Sequence, residues 1–423
     1  MVWAHDASGF AARLKRASRH LNSKNSMDTL LLGFDLQAAS FTGAGVVARN
    51  TLLELIERPD VELILLREQL IELRSGTGQD LLARYGKQHQ ELMALAEQNP
   101  GRLLTLNNAS VLLKGAYPLF SPGKSKQFRG GRINLLNFVF ENTVFSDDCL
   151  REMRARFDGI VVASNWCRSV LNARGLTNVH VNHQTVDLDV FHPGPAPVSQ
   201  EPFTVFSGGK FEFRKGQDIV AAAFARFVTR HPDARLLALW HNPWYETMLK
   251  QDYFQGFRHA TSVPQITNGE VDFKSWLVQA HGIPAENIVC PGKIENEQVP
   301  DLLKRCSVAV FPNRAEGGTN IIAMEAMACG LPCVLSSNTG HLDLVENANC
   351  LLLQDQAPIH GSASGTEGWG ESSVDELTDQ LEFCYTHREE LREIGLRGHQ
   401  FMRDRTWKKH VDRLVSLARG NFS

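Results

Sequence analysis

No apolar run in the 423 residues approaches the roughly 20 that cross a bilayer, so the sequence excludes a spanning helix. Charge of either sign is not in excess. The 44 Lys and Arg against 47 Asp and Glu leave a formal net charge of -3. Nothing global therefore draws the chain to nucleic acid or to an anionic surface, and any such attraction is local. The eight cysteines are scattered, and most sit in apolar runs, where a free thiol behaves as a small hydrophobe. Cys329 and Cys333 have no histidine pair near them, so no metal site is expected, and a reducing cytosol suits the pattern. A nucleophile elbow, a Walker-type loop and a zinc-binding helix are all missing. So are a short-period repeat and a coiled coil. The first residues alternate apolar and charged types, and no signal peptide is expected.

What remains is an ordinary globular composition, 43% hydrophobic and 22% charged, in a chain long enough for two domains. Residues 1–26 read as an N-terminal extension. Phe10, Leu14, Ala17 and Leu21 share a helical face ringed by Arg13, Lys15, Arg16, Arg19 and Lys24, as in a helix lying on a membrane. Met27, just before the first convincing strand, favours a disordered extension instead. From there β and α patterns alternate. Strands are expected at 28–34, 61–66, 102–106, 133–141, 158–164 and 178–182, and helices at 45–57, 79–98 and 166–173. The Pro-rich stretch 187–202 reads as a linker. A second alternation follows, with strands in FTVFSGG, LLALW, NIVCP, SVAVF, PCVLS and NCLLL, a Gly/Ser-rich loop at 361–373, and helices from 374 to 418. The fold class is therefore α/β, with two doubly wound parallel sheets. The expected domains are 27–190 and 203–400, with 401–423 a C-terminal helix packing back on the first.

Residues 313–332, NRAEGGTNIIAMEAMACGLP, form one compact device after the strand SVAVF. Gly317 and Gly318 are expected to take backbone angles that other residues avoid. Thr319 and Asn320 precede a helix from Ile321 to Cys329, which Gly330 and Pro332 end. A helix N-terminus at the carboxyl end of a parallel strand suits an anion. With Glu316 and Glu325 flanking it, a sugar nucleotide is the obvious candidate ligand. Earlier in the same domain, GGKFEFRKGQD places Gly208, Gly209, Lys210, Arg214 and Lys215 at another strand-to-helix turn. Hydrogen bonds to ionised groups are worth roughly 1.5 to 3 kcal/mol each, so these cations with a helix N-terminus can hold a diphosphate without magnesium.

Other candidates are less specific. Gly43 and Gly45 match G-x-G-x-x-A, but several residues separate them from Phe34 and no acid ends the second strand. That argues against a nicotinamide or flavin site and leaves a Gly-rich turn opening a helix at an interdomain cleft. Lys114, Lys124, Lys126, Arg129 and Arg132 lie in or near a basic loop that either reaches a phosphate-bearing acceptor or is solvated. Glu141 ends a strand where cleft residues sit, or caps the next helix. His241 follows a strand and either lines the cleft or is structural.

These motifs resemble the retaining glycosyltransferases of the GT-B fold, group 1 type, over most of the chain from Met27. The resemblance implies two Rossmann-like domains with parallel sheets facing across a cleft, the acceptor on the first and the nucleotide sugar on the second. It implies that Lys210 and Lys215 hold the donor diphosphate and that Glu325 binds the ribose. Glu316 would face the donor sugar, making Lys210, Lys215 and Glu316 the catalytic set. Eight residues separate the two glutamates where the family has seven, and the extra one is expected to be absorbed at Gly317 and Gly318. The donor-binding set is Gly208, Gly209, Arg214, Lys293, Ile294, Gly317, Gly318, Thr319, Asn320, Ile321 and Glu325. Gly43, Gly45, Glu141 and His241 form the acceptor or cleft side. The implied reaction is transfer of a hexose-like sugar from a nucleotide-diphosphate sugar to a glycan, lipid-linked or small-molecule hydroxyl, with retention and without cofactor or metal. A cytoplasmic protein with possible peripheral membrane contact, binding no nucleic acid, is expected. A sugar-nucleotide isomerase and a catalytically silent binding protein are the alternatives.

Overall fold

The computed structural model describes residues 29–38, 43–66, 76–98, 104–115, 128–194, 202–250, 257–359 and 365–422. The expected N-terminal extension, Lys124 and Lys126 lie outside these residues. The chain divides into two compact units, one of residues 1–184 with 407–423 and one of 185–406. Among the described residues no helix is long and apolar enough to cross a membrane.

The first unit holds β1 (Leu30–Phe34), α1 (Gly43–Ile56), β2 (Val61–Leu65), α2 (Gly76–Glu97), β3 (Ser110–Lys114), β4 (Asn134–Asn137), α3 (Asp147–Arg156), β5 (Gly159–Val162), α4 (Asn165–Ala173) and β6 (Val179–Val181). Among the described residues its main sheet is parallel throughout, in the order β2-β1-β3-β4-β5-β6. Alternation along the strands sends neighbours to opposite faces. Val111 and Leu113 enter one core, while Leu112 enters the other with Leu30 and Leu32.

Two expectations fail here. The strand expected at 102–106 pairs outside the main sheet, with Phe128–Gly131, and the central strand is β3, which the sequence reading passed over. Two short apolar runs flank the turn at Asn107 and Asn108, and periodicity ranks them equally; only pairing decides between them. The strand expected at 133–141 stops at Asn137. Phe138 and Phe140 are fully buried without strand geometry, in an aromatic cluster with Phe145 and Trp166.

The second unit holds β7 (Thr204–Lys210), α5 (Gln217–Val228), β8 (Arg235–His241), α6 (Phe273–His281), β9 (Ile288–Val289), β10 (Val308–Phe311), α7 (Ile321–Ala328), β11 (Cys333–Ser336), β12 (Leu351–Leu353), α8 (Val374–Thr386) and α9 (Arg388–Arg403). Its main sheet runs β9-β8-β7-β10-β11-β12, again parallel. The strand order reverses between β7 and β10. In open parallel sheets ligands bind beyond the strand carboxyl ends at such a switch point. Val205, Val308 and Val310 pack on one face with α5 and α8, while Phe206, Ala309 and Phe311 pack on the other with α7.

The expected linker is not a free connection. Val186 and Phe191 are buried in the core of the second unit, so residues 185–194 belong to it rather than to the first domain, and 195–201 lie outside the described residues. The last helix, α10 (Trp407–Ala418), belongs to the first unit. Its Val411, Leu414 and Val415 enter the core formed by Leu30, Leu32, Leu112 and Leu135, and the Ser110 hydroxyl donates to its Ala418 carbonyl at 2.6 Å. Each such buried aliphatic side chain contributes about 1.5 to 3 kcal/mol.

Candidate active site

At the switch point the chain leaves β7, makes a single 3-10 turn at Phe213–Lys215, and enters α5. Gly216 joins the turn to the helix at φ 67°, and a Cβ there would lie 2.2 Å from the Pro312 carbonyl oxygen. Left-handed backbone and close approach together demand glycine. The turn is then tied to the loop after β10. The Arg314 amide donates to the Arg214 carbonyl at 2.7 Å, and the Arg214 guanidinium donates to the Ala315 carbonyl at 3.3 Å.

Those contacts bring the basic turn onto Glu316. Arg214 pairs with one carboxylate oxygen of Glu316 at 2.9 Å, and Lys215 pairs with the other. The Asn313 side-chain amide also donates to the Lys215-bound oxygen. The backbone of Glu316 is fixed as well, its amide donating to the Thr339 hydroxyl at 2.8 Å and its carbonyl accepting from the Gly340 amide at 2.9 Å. Burial alone would raise the Glu316 carboxyl, but Lys215 and Arg214 hold it down at about 2. Burial, with Arg214 alongside, pulls the Lys215 ammonium below its ordinary value against the opposing pull of Glu316. Lys210 reaches elsewhere, to Glu212 at 2.8 Å and over the ring of Trp244, while Arg214 bridges Glu212 and Glu316. Three cations against two carboxylates leave this cluster with one positive charge.

The two glycines do not take the backbone angles expected of them. Neither Gly317 nor Gly318 has positive φ; Asn320 takes the left-handed conformation, at φ 61°. Asparagine tolerates that region better than most residues. As the residue before α7, Asn320 makes no side-chain capping bond; its amide group donates to Nε2 of His341 at 3.0 Å and its carbonyl oxygen faces Lys215 at 3.5 Å. His341 Nε2 is therefore the acceptor, and Nδ1 carries the proton toward the Ser336 hydroxyl at 2.8 Å. Burial keeps this imidazole neutral, its pKa drawn down to about 4. The close backbone approach falls at Gly340, where a Cβ would lie 1.7 Å from the Gly318 carbonyl oxygen. The helix ends at Ala328, one residue earlier than expected.

Glu325 lies inside α7 with a side chain that accepts from Asn296 at 2.8 Å. Burial pushes its carboxyl up to about 8, so at neutral pH it carries a proton and can donate as well as accept. Ile294 packs on the core behind it, and Lys293 is exposed. His241 is the register partner of Lys210 across β8 and β7 and is exposed. Burial and nearby Lys293 lower its pKa. Gly43 and Gly45 open α1, and half-buried Glu141 follows β4. These three belong to the first unit, whereas the ionic cluster is built by the second alone.

The sequence reading missed the residues that hold the cluster in place. Arg314 is wholly buried, with a guanidinium that donates to Asp218 at 2.8 and 2.9 Å, to Glu371, and to the Phe213 carbonyl at 2.7 Å. It also lies over the Phe213 ring at 4.3 Å. Glu371 takes a further bond from His259 at 3.1 Å; burial would raise its carboxyl, yet His259 and Arg314 hold it at about 2. Arg314 thus joins the β10 loop to the first turn of α5 and to residue 371. Glu212 lies two residues from each of its cations in KFEFRK, a pattern open to local reading, whereas Arg314, two residues before Glu316, gives no sign in the sequence of partners more than fifty residues away.

Residues 202–360 match the family described as Glycosyl transferases group 1. A GDP-mannose-dependent monoacylated alpha-(1-6)-phosphatidylinositol monomannoside mannosyltransferase of Corynebacterium glutamicum is 26% identical over 147 residues, which are 33% of this chain and 31% of that protein. The chain thus spans about a third of that relative's length. Among solved structures, sucrose-phosphate synthase from Thermosynechococcus elongatus superposes with a TM-score of 0.62 at 16% identity, covering 93% of this chain and 99% of that one. Anabaena Alr3699/HepE in complex with UDP-glucose gives 0.58 at 14% identity, covering 92% and 99%. The architecture is the GT-B fold.

Proposed function

From a chain whose residues 202–360 match the group 1 glycosyltransferases and whose fold is GT-B, we propose a glycosyltransferase that moves a sugar from a nucleotide-diphosphate sugar to an acceptor hydroxyl, with retention of configuration. The observation that carries this reading is the meeting of Arg214, Lys215 and the N-terminus of α7 at the switch point of the second sheet. As the glycosidic bond breaks, negative charge grows on the leaving diphosphate. Preorganised cations and helix amides stabilise that charge more in the transition state than in the bound donor. Lys210, on the edge of the cluster, adds to the field. In this reading Glu316 accepts from hydroxyls of the donor sugar, and Glu325 pairs with the ribose. The donor phosphate takes the acceptor proton, so no side-chain base is assigned. Charge supplied by side chains takes the part that a divalent metal plays elsewhere, and activity is expected to survive EDTA.

The Corynebacterium relative is named for GDP-mannose and for a lipid-linked mannoside, and the Anabaena structure holds UDP-glucose. These support a hexose donor and make a lipid-linked acceptor one class to test, in a protein working in the cytoplasm or at a membrane surface. The test is a panel of UDP-, GDP- and ADP-sugars with purified protein and glycan, lipid-linked and small-molecule acceptors, read by NMR for the anomeric configuration of the product. Transfer with retention is expected. An epimerised sugar nucleotide, or binding without turnover by every donor, overturns the assignment.

A further inference from the structure

Glu316 holds the same two cations that the proposed function gives to the diphosphate. Its two carboxylate oxygens are divided between Arg214 and Lys215, and all three side chains are largely buried, at 5, 13 and 10% exposure. The second carboxylate in the cluster, Glu212, takes Arg214 and Lys210. Arg214 also donates to the Ala315 carbonyl, and Lys215 has Asn320 at 3.5 Å. A diphosphate therefore reaches these cations in competition with a carboxylate already bonded to them.

Resting on the glycosyltransferase reading, we propose that Glu316 is an internal competitor of the nucleoside diphosphate and promotes its release after transfer. Donor binding turns Arg214 and Lys215 from the carboxylate toward phosphate, which frees Glu316 to accept from the hydroxyls of the donor sugar. Once the sugar has left, the partners on offer to the Glu316 carboxylate are again the two cations, beside the Asn313 amide. Its return to them displaces the diphosphate. No covalent bond is made or broken in this exchange; two ion pairs trade partners. Release of product limits the rate of many enzymes, so a competing carboxylate has a kinetic use. Asn313 and the backbone bonds to Thr339 and Gly340 hold Glu316 at the position to which it returns.

The exchange predicts an unusual sign. Glu316→Gln keeps the shape, removes one negative charge beside both cations, and raises the cluster from one positive charge to two. A like charge removed at this range is felt strongly in a buried site, so the nucleoside diphosphate of the preferred donor should bind about tenfold tighter. By stopped-flow displacement it should dissociate about tenfold more slowly. The gain should shrink for the monophosphate and vanish for the nucleoside. It should also fall to about twofold when Lys215→Ala is combined with it, because half of the contested charge is gone. Glu316→Asp, which draws the carboxylate back by one methylene, supplies a second variant should the amide fold poorly, and tighter diphosphate binding is again expected. Unchanged or weaker diphosphate binding in the variants would mean that Glu316 orders the cations rather than competing for them, and overturns the proposal. Wild-type affinity in both Arg214→Ala and Lys215→Ala instead overturns the donor-site reading itself, so the two failures are distinguishable.

Discussion

Replacing Arg314 with alanine perturbs the strut on which the ionic cluster rests. Its side chain and that of Asp218 are 0% exposed, and that of Glu371 is 7% exposed. Truncation leaves two buried carboxylates, Asp218 without the guanidinium it accepts from and Glu371 with His259 in place of two basic partners. Removing one partner of a buried pair costs about 3 to 5 kcal/mol, because the remaining charge is neither hydrated nor paired. A unit of this size loses about 2 to 4 °C of melting temperature per kcal/mol, which gives a fall of about 6 to 20 °C at pH 7. The pH dependence has a definite sign. Glu371 is held at about 2, below its ordinary 4.5, so its pairing contributes stability above the ordinary value and loses it as pH falls toward 2. The variant lacks the Arg314 part of that contribution at every pH, so the gap between the two proteins narrows as pH falls through the carboxylate range. Circular dichroism melts from pH 7 to pH 4 measure both effects. Arg314→Lys keeps the charge without the two-sided fork and should lie between wild type and alanine. A melt within about 2 °C of wild type, or a gap that widens on acidification, refutes the reasoning.

Lys215→Ala removes one of the two cations on Glu316 and should weaken nucleoside diphosphate binding by more than about tenfold in calorimetric titration; unchanged affinity takes Lys215 out of the diphosphate site. Gly340→Ala sets a Cβ 1.7 Å from the Gly318 carbonyl oxygen. It should lower the urea midpoint by the equivalent of about 3 kcal/mol, since backbone faces backbone and neither yields easily; a midpoint like wild type would mean that the loop is loosely packed. His341 stays neutral in the folded unit, its pKa near 4 against 6.5 for the free side chain. The unfolded chain takes up that proton first, so stability is full above about pH 6.5 and falls by up to about 3 kcal/mol as pH drops toward 4. His341→Gln should remove this part of the acid loss in denaturant titrations at pH 7 and 5, and an equally steep loss in the variant would contradict a neutral imidazole.

Short-range pattern carried much of the molecule. Bounded apolar runs such as SVAVF, and glycine and proline after AMEAMAC, specify strands and a helix through local geometry alone, and the structure has β10, α7 and β11 at those places. The grouping of charges in KFEFRK and of glutamates after NRA marked the two loops that meet. Strand order was not so legible. That β7 lies beside β10, so that Lys215 and Glu316 touch from a hundred residues apart, depends on crossovers that no local repeat encodes. The same limit hid β3, whose apolar run looks like its neighbour's, and the attachment of 185–194 to the second unit through Phe191. It also hid the chemical states of the acids. Glu316 and Glu325 are the same residue type in one motif, yet one is held ionised by two cations and the other is driven toward its protonated form by an apolar helix face. Sequence supplied both carboxyls, and three-dimensional surroundings set them several pKa units apart, because ionisation answers to burial and to charges brought near by the fold.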